Sequence, residues 1–257
     1  METRGIMGGL YKVTEWITRI AVSNLLWLMC SIPFFFVLLT KYLLWVNMPN
    51  QPETLTIYLM IILAPVTLFP ATSALFAVTR KWVMGEADVS VFRTFFKGYK
   101  ENYKQSLVGG IFYTLLFVIV VVDYKVYMNQ LGAQLIGMVM LVFLLILIIS
   151  MFNFFSMVTH YHMGVIQILK NSMLLTLVRP LRILSTVICV GALIAATAKF
   201  PFLILFGLGS LSAYIAFFNF YATFTKMQQM AEKQRLADEA KAAGDLDNMI
   251  NEESKKD

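Results

Sequence analysis

The chain has 257 residues, of which 59% are apolar and only 14% charged, where a water-soluble domain carries about 25% charged residues. Together with a mean hydropathy of +0.72, this excludes soluble globular and disordered classes. The net charge of +6 comes from clustered Lys and Arg without a groove-reading or RNA-binding aromatic pattern, so no nucleic-acid partner is expected.

Residues 54–79, 105–122, 126–159 and 200–225 contain no Asp, Glu, Lys or Arg, and about 20 such residues cross a bilayer core as a helix. The sequence therefore predicts an all-α, polytopic membrane helix bundle, with the lipid bilayer as its first partner. About six transmembrane helices are placed near 20–40, 55–78, 106–124, 135–158, 183–199 and 202–224. Residues 1–225 form the membrane domain and 226–257 a charged cytoplasmic tail.

Arg4, Lys12 and Arg19 precede the first span. Its apolar run is too long for a signal-peptide core and ends in no small-x-small cleavage site, so it reads as an uncleaved anchor. In the second span, Pro65 and Pro70 each remove an intrahelical hydrogen bond and predict a kink or break. Thr67, Thr72 and Ser73 can take up freed carbonyls or donate across a helix interface. Such a discontinuity serves either a transporter-type site or plain helix packing. Arg80, Lys81 and Trp82 directly after it read as an interfacial anchor, with a headgroup or partner site as the functional alternative.

The loop over 80–105 is the most patterned stretch. After Gly85-Glu86-Ala87-Asp88, which reads as a helix start, Phe92, Phe96, Tyr99 and Tyr103 recur at helical steps, and Arg93, Lys97, Lys100 and Lys104 follow one residue behind. That spacing predicts a basic amphipathic helix lying in the inner interface, aromatics at the acyl boundary and ammonium groups among headgroups. It is either a topological anchor or a coupling element that docks a cytoplasmic partner.

Asn24, Asn153 and Asn219 fall within spans and are expected to face the bundle interior, because an unpaired amide in lipid is costly. No Asp, Glu, Lys or Arg lies near the middle of a span, which argues against coupling through a buried carboxylate. His160 and His162 stand two residues apart at the inner end of span four, about 200° apart on a helix, a poor geometry for one metal. Cys30 and Cys189 lie in spans without ligand spacing and read as small buried apolar residues.

The fifth span has only 16 uncharged residues between Arg182 and Lys199, about 24 Å of helix. Lys199-Phe200-Pro201 then reads as a tight outer hairpin, with a re-entrant pair as the alternative. Gly191 with Ala195 and Gly209 with Ala213 give small-xxx-small faces, suited to packing of spans five and six or to a homo-oligomer. Beyond Lys226 the tail is helical to about Ala243, stops at Gly244, and is disordered over 251–257.

Orientation follows from charge. Of 21 Lys and Arg, only Lys41, Lys125 and Lys199 fall on the three alternate connections, beside Glu53 and Asp123, which places both termini in the cytoplasm. No nucleophile with a plausible base, no metal-ligand motif and no phosphate loop is found, so neither an enzymatic activity nor a cofactor is expected. An ABC importer permease would need Glu-Ala-Ala with a Gly four residues after the Glu; here Glu86-Ala87-Asp88 is followed by Val89 and Ser90.

The run from Phe69-Pro70-Ala71-Thr72-Ser73 to Arg80-Lys81-Trp82 and Gly85-Glu86 resembles the YesL family of bacterial membrane proteins. Gly8-Gly9-Leu10-Tyr11, Trp16, Asn24-Leu25-Leu26-Trp27, Phe95-Phe96-Lys97 and Lys170-Asn171-Ser172 are similar to that family as well, and the resemblance covers about 5–225. It implies a multi-pass protein of the bacterial cell membrane, often encoded beside carbohydrate ABC importers. The expected function is a non-enzymatic accessory or regulatory component of carbohydrate uptake, partnered by such an importer or a membrane sensor; the alternatives are a permease conducting a small solute and, further off, a membrane enzyme. The candidate interface comprises Pro70, Thr72, Ser73, Arg80, Lys81, Trp82, Phe92, Phe96 and Lys97.

Overall fold

A computed structural model describes residues 6–48, 54–130, 132–161, 163–178 and 180–253. Among them are ten α-helices and no strand, so the expected all-α bundle is what forms. In chain order these are α1 (Ile6–Cys30), α2 (Ile32–Asn47), α3 (Thr54–Leu63), α4 (Phe69–Val83), α5 (Val91–Lys125), α6 (Gln134–His160), α7 (Val165–Val178), α8 (Pro180–Lys199), α9 (Phe202–Phe206) and α10 (Leu208–Glu253). Among the described residues three helical runs, Thr54–Val83, Val91–Asn129 and Gln134–His160, are long and apolar enough to cross a bilayer; α1 and α2 make a fourth if their bent pair is one span. Arg4, Glu53 and His162, used above for orientation or metal binding, lie outside the described residues, as do 254–257.

Breaks in the helices have local causes. Pro33 cannot donate to the carbonyl four residues back, and the chain turns just before it. The Ser31 N–H is shared between the Trp27 and Leu28 carbonyls at 3.1 Å each, and α1 meets α2 at 77°. The expected first span, 20–40, is thus bent near its middle. The prolines of span two act more gently: Ala64–Leu68 forms a π-helical turn and the helix continues from Thr54 to Val83. A wide turn re-spaces the carbonyls that Pro65 and Pro70 leave without donors. Tyr103 Oη lies 3.4 Å from the Val66 carbonyl, the acceptor that Pro70 leaves free. Thr67 and Thr72 donate to the carbonyls four residues before them, at 2.8 and 2.7 Å.

Four expectations change along the chain. Residues 91–105 are not a separate interfacial helix, because α5 runs unbroken through them into span three. The segment read as a loop after span four contains α7, whose Ile168, Ser172 and Thr176 are buried; its length of 14 residues is too short to signal a span. The sixth span is divided at Gly207, between α9 and α10. Cys189 is exposed and Cys30 only partly buried, so neither is the buried apolar residue expected; on a bundle surrounded by lipid an apolar side chain has no reason to turn inward.

The core lies where α4, α5 and α6 pack pairwise on one another. Phe69, Phe76, Tyr113, Phe154 and Phe155 are at most 4% exposed, with ring centroids of 5.3 Å for Phe69–Phe155 and 5.4 Å for Tyr113–Phe154. Glycine permits that density. A Cβ on Gly110 would stand 2.9 Å from the Pro65 Cα, and one on Gly109 would run into the Phe154 ring. Polar ties cross the helices: the Tyr113 hydroxyl bonds Ser150 at 2.8 Å and Ser172 at 3.0 Å, joining α5, α6 and α7. Asn153 donates to Thr176 at 2.9 Å, and Asn219 to Thr186 at 2.9 Å.

Asn24, fully buried, repairs the break at Gly207. Its amide nitrogen donates to the Ile204 and Leu205 carbonyls at 3.0 and 2.6 Å, and its oxygen accepts from the Gly209 and Ser210 N–H groups at 2.8 and 3.2 Å. One side chain therefore satisfies the end of α9 and the start of α10, groups that lipid could not solvate. All three asparagines bond across helices as expected.

The chain divides into two compact units, Met1–Asn219 and Phe220–Asp257. In the second, residues 226–241 are exposed, and Arg235 pairs with Glu239 at 3.2 Å. Its helix passes through Gly244 to Glu253, so Gly244 is not the stop expected; the cost of one interior glycine, about 1 kcal/mol, is carried by strong helix formers around it.

Replacing Asn24 with Leu, similar in size but unable to hydrogen-bond, should lower stability by roughly 2 kcal/mol, four bonds at about 0.6 kcal/mol each. Unfolding in detergent followed by circular dichroism measures this; an unchanged midpoint would mean that the α9–α10 break is held by packing alone.

Candidate functional site

Polar side chains gather at one end of the first unit. The last turn of α4 supplies Arg80 and Lys81, the first turns of α5 supply Arg93, Thr94, Lys97, Glu101, Asn102 and Gln105, and the end of α6 with the segment after it supplies Thr159, Tyr161 and Met163. Together they line a cleft of about 900 Å³. Four cations face one carboxylate there.

Local chemistry sets each wall. Gly85, at φ +89°, ends α4 in the left-handed region, with the Glu86 N–H on the Lys81 carbonyl at 2.9 Å and the Gly85 N–H on the Trp82 carbonyl at 3.1 Å. This Schellman closure uses glycine because only it adopts that φ without strain. The Gly85–Asp88 stretch thus stops α4 rather than starting α5, whose N-cap is Ser90. Asp88 instead pairs with Arg19 of α1 at 3.0 Å, and Arg19 also donates to the Ala87 carbonyl. The loop is thereby tied to α1.

Arg80 donates from Nη1 to the Thr159 carbonyl at 2.7 Å, a cation on the last turn of α6 where the helix dipole favours it. Its Nε is buried without an acceptor among the described residues. Lys81 pairs with Glu86 at 2.6 Å and Lys97 is 3.9 Å from Glu101; Arg93 makes no ion pair among the described residues. Gln105 donates to the Met163 carbonyl at 3.1 Å, fixing the segment after α6. Burial pushes the Tyr161 phenol up from its ordinary value, so it remains a neutral hydroxyl.

Of the residues singled out from sequence, Arg80, Lys81 and Lys97 meet in this cleft. Pro70, Thr72 and Ser73 do not: Pro70 and Ser73 are buried in the core, and Thr72 accepts from Trp27 Nε1 at 3.0 Å. Trp82 is 4% exposed and packs edge-on against Trp16 at 5.6 Å, so its ring is enclosed by neighbouring helices. Phe92 and Phe96 are exposed, whereas Phe95, outside the expected stripe, is fully buried. The buried side of α5 is the one carrying Phe95 and Gly98, where a Cβ would stand 2.5 Å from that of Ala77. Thr94, Asn102, Thr159 and Tyr161 were missed. The four-residue steps Arg93, Lys97, Glu101 and Gln105 could have revealed one wall, but nothing local marks the end of α6 as the other.

Two other concavities are apolar. One of about 260 Å³ is lined by Trp27, Phe69, Phe76, Phe155 and Ile194, with Thr72 and Ser212 as its polar side chains. The other, about 390 Å³, lies between Pro65 and Ile111. Among the described residues no three His, Cys, Asp or Glu come close enough to hold a metal ion. His160 rests edge-on against Tyr161 and Phe217, at 4.9 and 6.2 Å.

Residues 20–124 match a family described as "Protein of unknown function, DUF624". Three Bacillus subtilis proteins, each described as uncharacterized, are similar. YteU is 29% identical over 230 residues, 89% of this chain and 91% of that protein. YesL is 23% identical over 233 residues, 90% and 97% respectively, and YesV is 30% identical over 115 residues, 44% and 55%. No solved structure matches. The family match includes the α4 and α5 walls of the cleft and ends before α6.

Truncating Phe95 to Ala should cost roughly 3–5 kcal/mol, the usual penalty for emptying a buried aromatic site, while Phe96→Ser should cost far less. Thermal denaturation of both in detergent tests which aromatic holds α5; equal losses would restore the interfacial stripe.

Proposed function

Because the chain belongs with the YesL-like proteins, we propose that it is a non-enzymatic accessory or regulatory component of carbohydrate uptake through an ABC-type importer, working from a cleft that faces the cytoplasm. One observation carries the reading: among the described residues the cleft at the basic end of the helices has a strongly polar lining, whereas the two concavities between the apolar parts of the helices are apolar. A sugar pathway needs donors and acceptors for hydroxyl groups along its length, and transporters place polar sites at the midplane. Here the α4–α5–α6 core is filled by aromatic rings and glycine contacts. The arrangement favours a component that receives something at its inner face over a permease.

The cytoplasmic assignment rests on the distribution of Lys and Arg. On this reading both termini lie on the cytoplasmic side of the bacterial cell membrane that the family resemblance implies. On a background lacking Cys30 and Cys189, Lys100→Cys should react with an impermeant maleimide only after the cells are opened. Labelling of intact cells would reverse the topology.

Affinity purification of the full chain in mild detergent should bring down the subunits of a carbohydrate importer, and the pure protein in liposomes should pass no labelled sugar. Sugar flux by the protein alone would replace the accessory role with that of a permease.

A further inference from the structure

We propose that the basic cleft is a binding site for a phosphate ester, presented either by an anionic phospholipid headgroup or by a soluble phosphorylated metabolite. This deepens the reading above, and rests on it for the assignment of the cleft as the working face.

The charges are arranged for a ligand. Positive-inside anchors serve orientation by lying anywhere near the end of a span, and they need no shared cavity. Here Arg80 and Lys81 from α4 and Arg93 and Lys97 from α5 line one concavity, against the single carboxylate of Glu101. Gly98 lets the two helices approach until its missing Cβ would be 2.5 Å from that of Ala77, which brings the two cationic walls to one cavity.

Hydrogen bonding points the same way. The Arg80 guanidinium is held on the wall by the Thr159 carbonyl at 2.7 Å, with its Nε still lacking an acceptor among the described residues. Thr94 and Asn102 line the same cleft with side chains that make no hydrogen bond among the described residues. Two guanidinium forks, two ammonium groups and free neutral donors suit an oxyanion with several acceptor oxygens, and arginine forks match phosphate geometry. About 900 Å³ leaves room for the alcohol part of the ester. Lys81 and Lys97 already have carboxylate partners in Glu86 and Glu101, but a neutral sugar would leave the Arg80 and Arg93 guanidinium charges uncompensated.

The experiment uses the full chain in nanodiscs of phosphatidylcholine, with and without phosphatidylglycerol, and glycerol 3-phosphate as the soluble probe. Binding is read by native mass spectrometry and by the shift in melting temperature. The double variant Arg93→Gln with Lys97→Gln should weaken binding by about tenfold or more, as expected for the loss of two charge-assisted contacts. Lys100→Gln with Lys104→Gln removes the same charge from the same helix outside the cleft, and should change binding by less than about twofold.

Response to glycerol 3-phosphate in neutral nanodiscs identifies a soluble ester, and response to phosphatidylglycerol alone identifies a headgroup; either supports the site. Binding of neither probe, or equal loss in both double variants, overturns it. Failure here with an importer still co-purifying removes only the phosphate site, whereas phosphate binding with no importer removes only the accessory role.

Discussion

The close approach of α4 and its π-helical turn to α5, made possible by glycine, governs most of what else is built. In lipid there is no hydrophobic drive between helices, so association depends on contact distance and on the few polar ties that cross. Gly98 and Gly110 let α5 meet Ala77 and Pro65 at distances no side chain would allow. Around that line α6 adds Phe154 and Phe155, α7 joins through the shared hydroxyls of Tyr113, Ser150 and Ser172, and α1 contributes Trp16 and Trp27. The cleft is where the same contact ends and the helices' charged termini begin.

Much of this was legible from residues alone. Charge-free stretches locate the long helices to within a few residues for α6, since nothing but a span tolerates such composition. The interior placement of Asn24, Asn153 and Asn219 follows from the cost of an amide in lipid. What the pattern could not give is which face of a helix is inside: apolar residues on a membrane helix face lipid as readily as protein. Phe92 and Phe96 are therefore on an outer surface of the bundle, while Phe95 beside them fills the core.

The site was half visible. Arg80, Lys81 and Lys97 stand out in sequence because basic residues are rare here, yet across the cleft stand Thr159, whose carbonyl at the end of α6 accepts from Arg80, and Tyr161 just beyond that helix. Such groups carry no composition signal, and only tertiary packing brings residue 80 beside residue 159. Pro70, Thr72 and Ser73 were conspicuous for a different reason. Their spacing reports the wide turn that re-aims α4, a structural task completed inside the core.

Mechanically, α5 is a single rod. From Val91 to Lys125 it holds 35 residues, about 52 Å at 1.5 Å per residue, with no proline between Arg93 at the cleft and Gly110 beside Pro65. A displacement of the cleft wall cannot be absorbed along the way. Any tilt that widens the gap at Gly98 must slide or lever the same helix against the π-helical turn at Ala64–Leu68, so whatever loads the charged end is felt at the seam in the middle of the bundle.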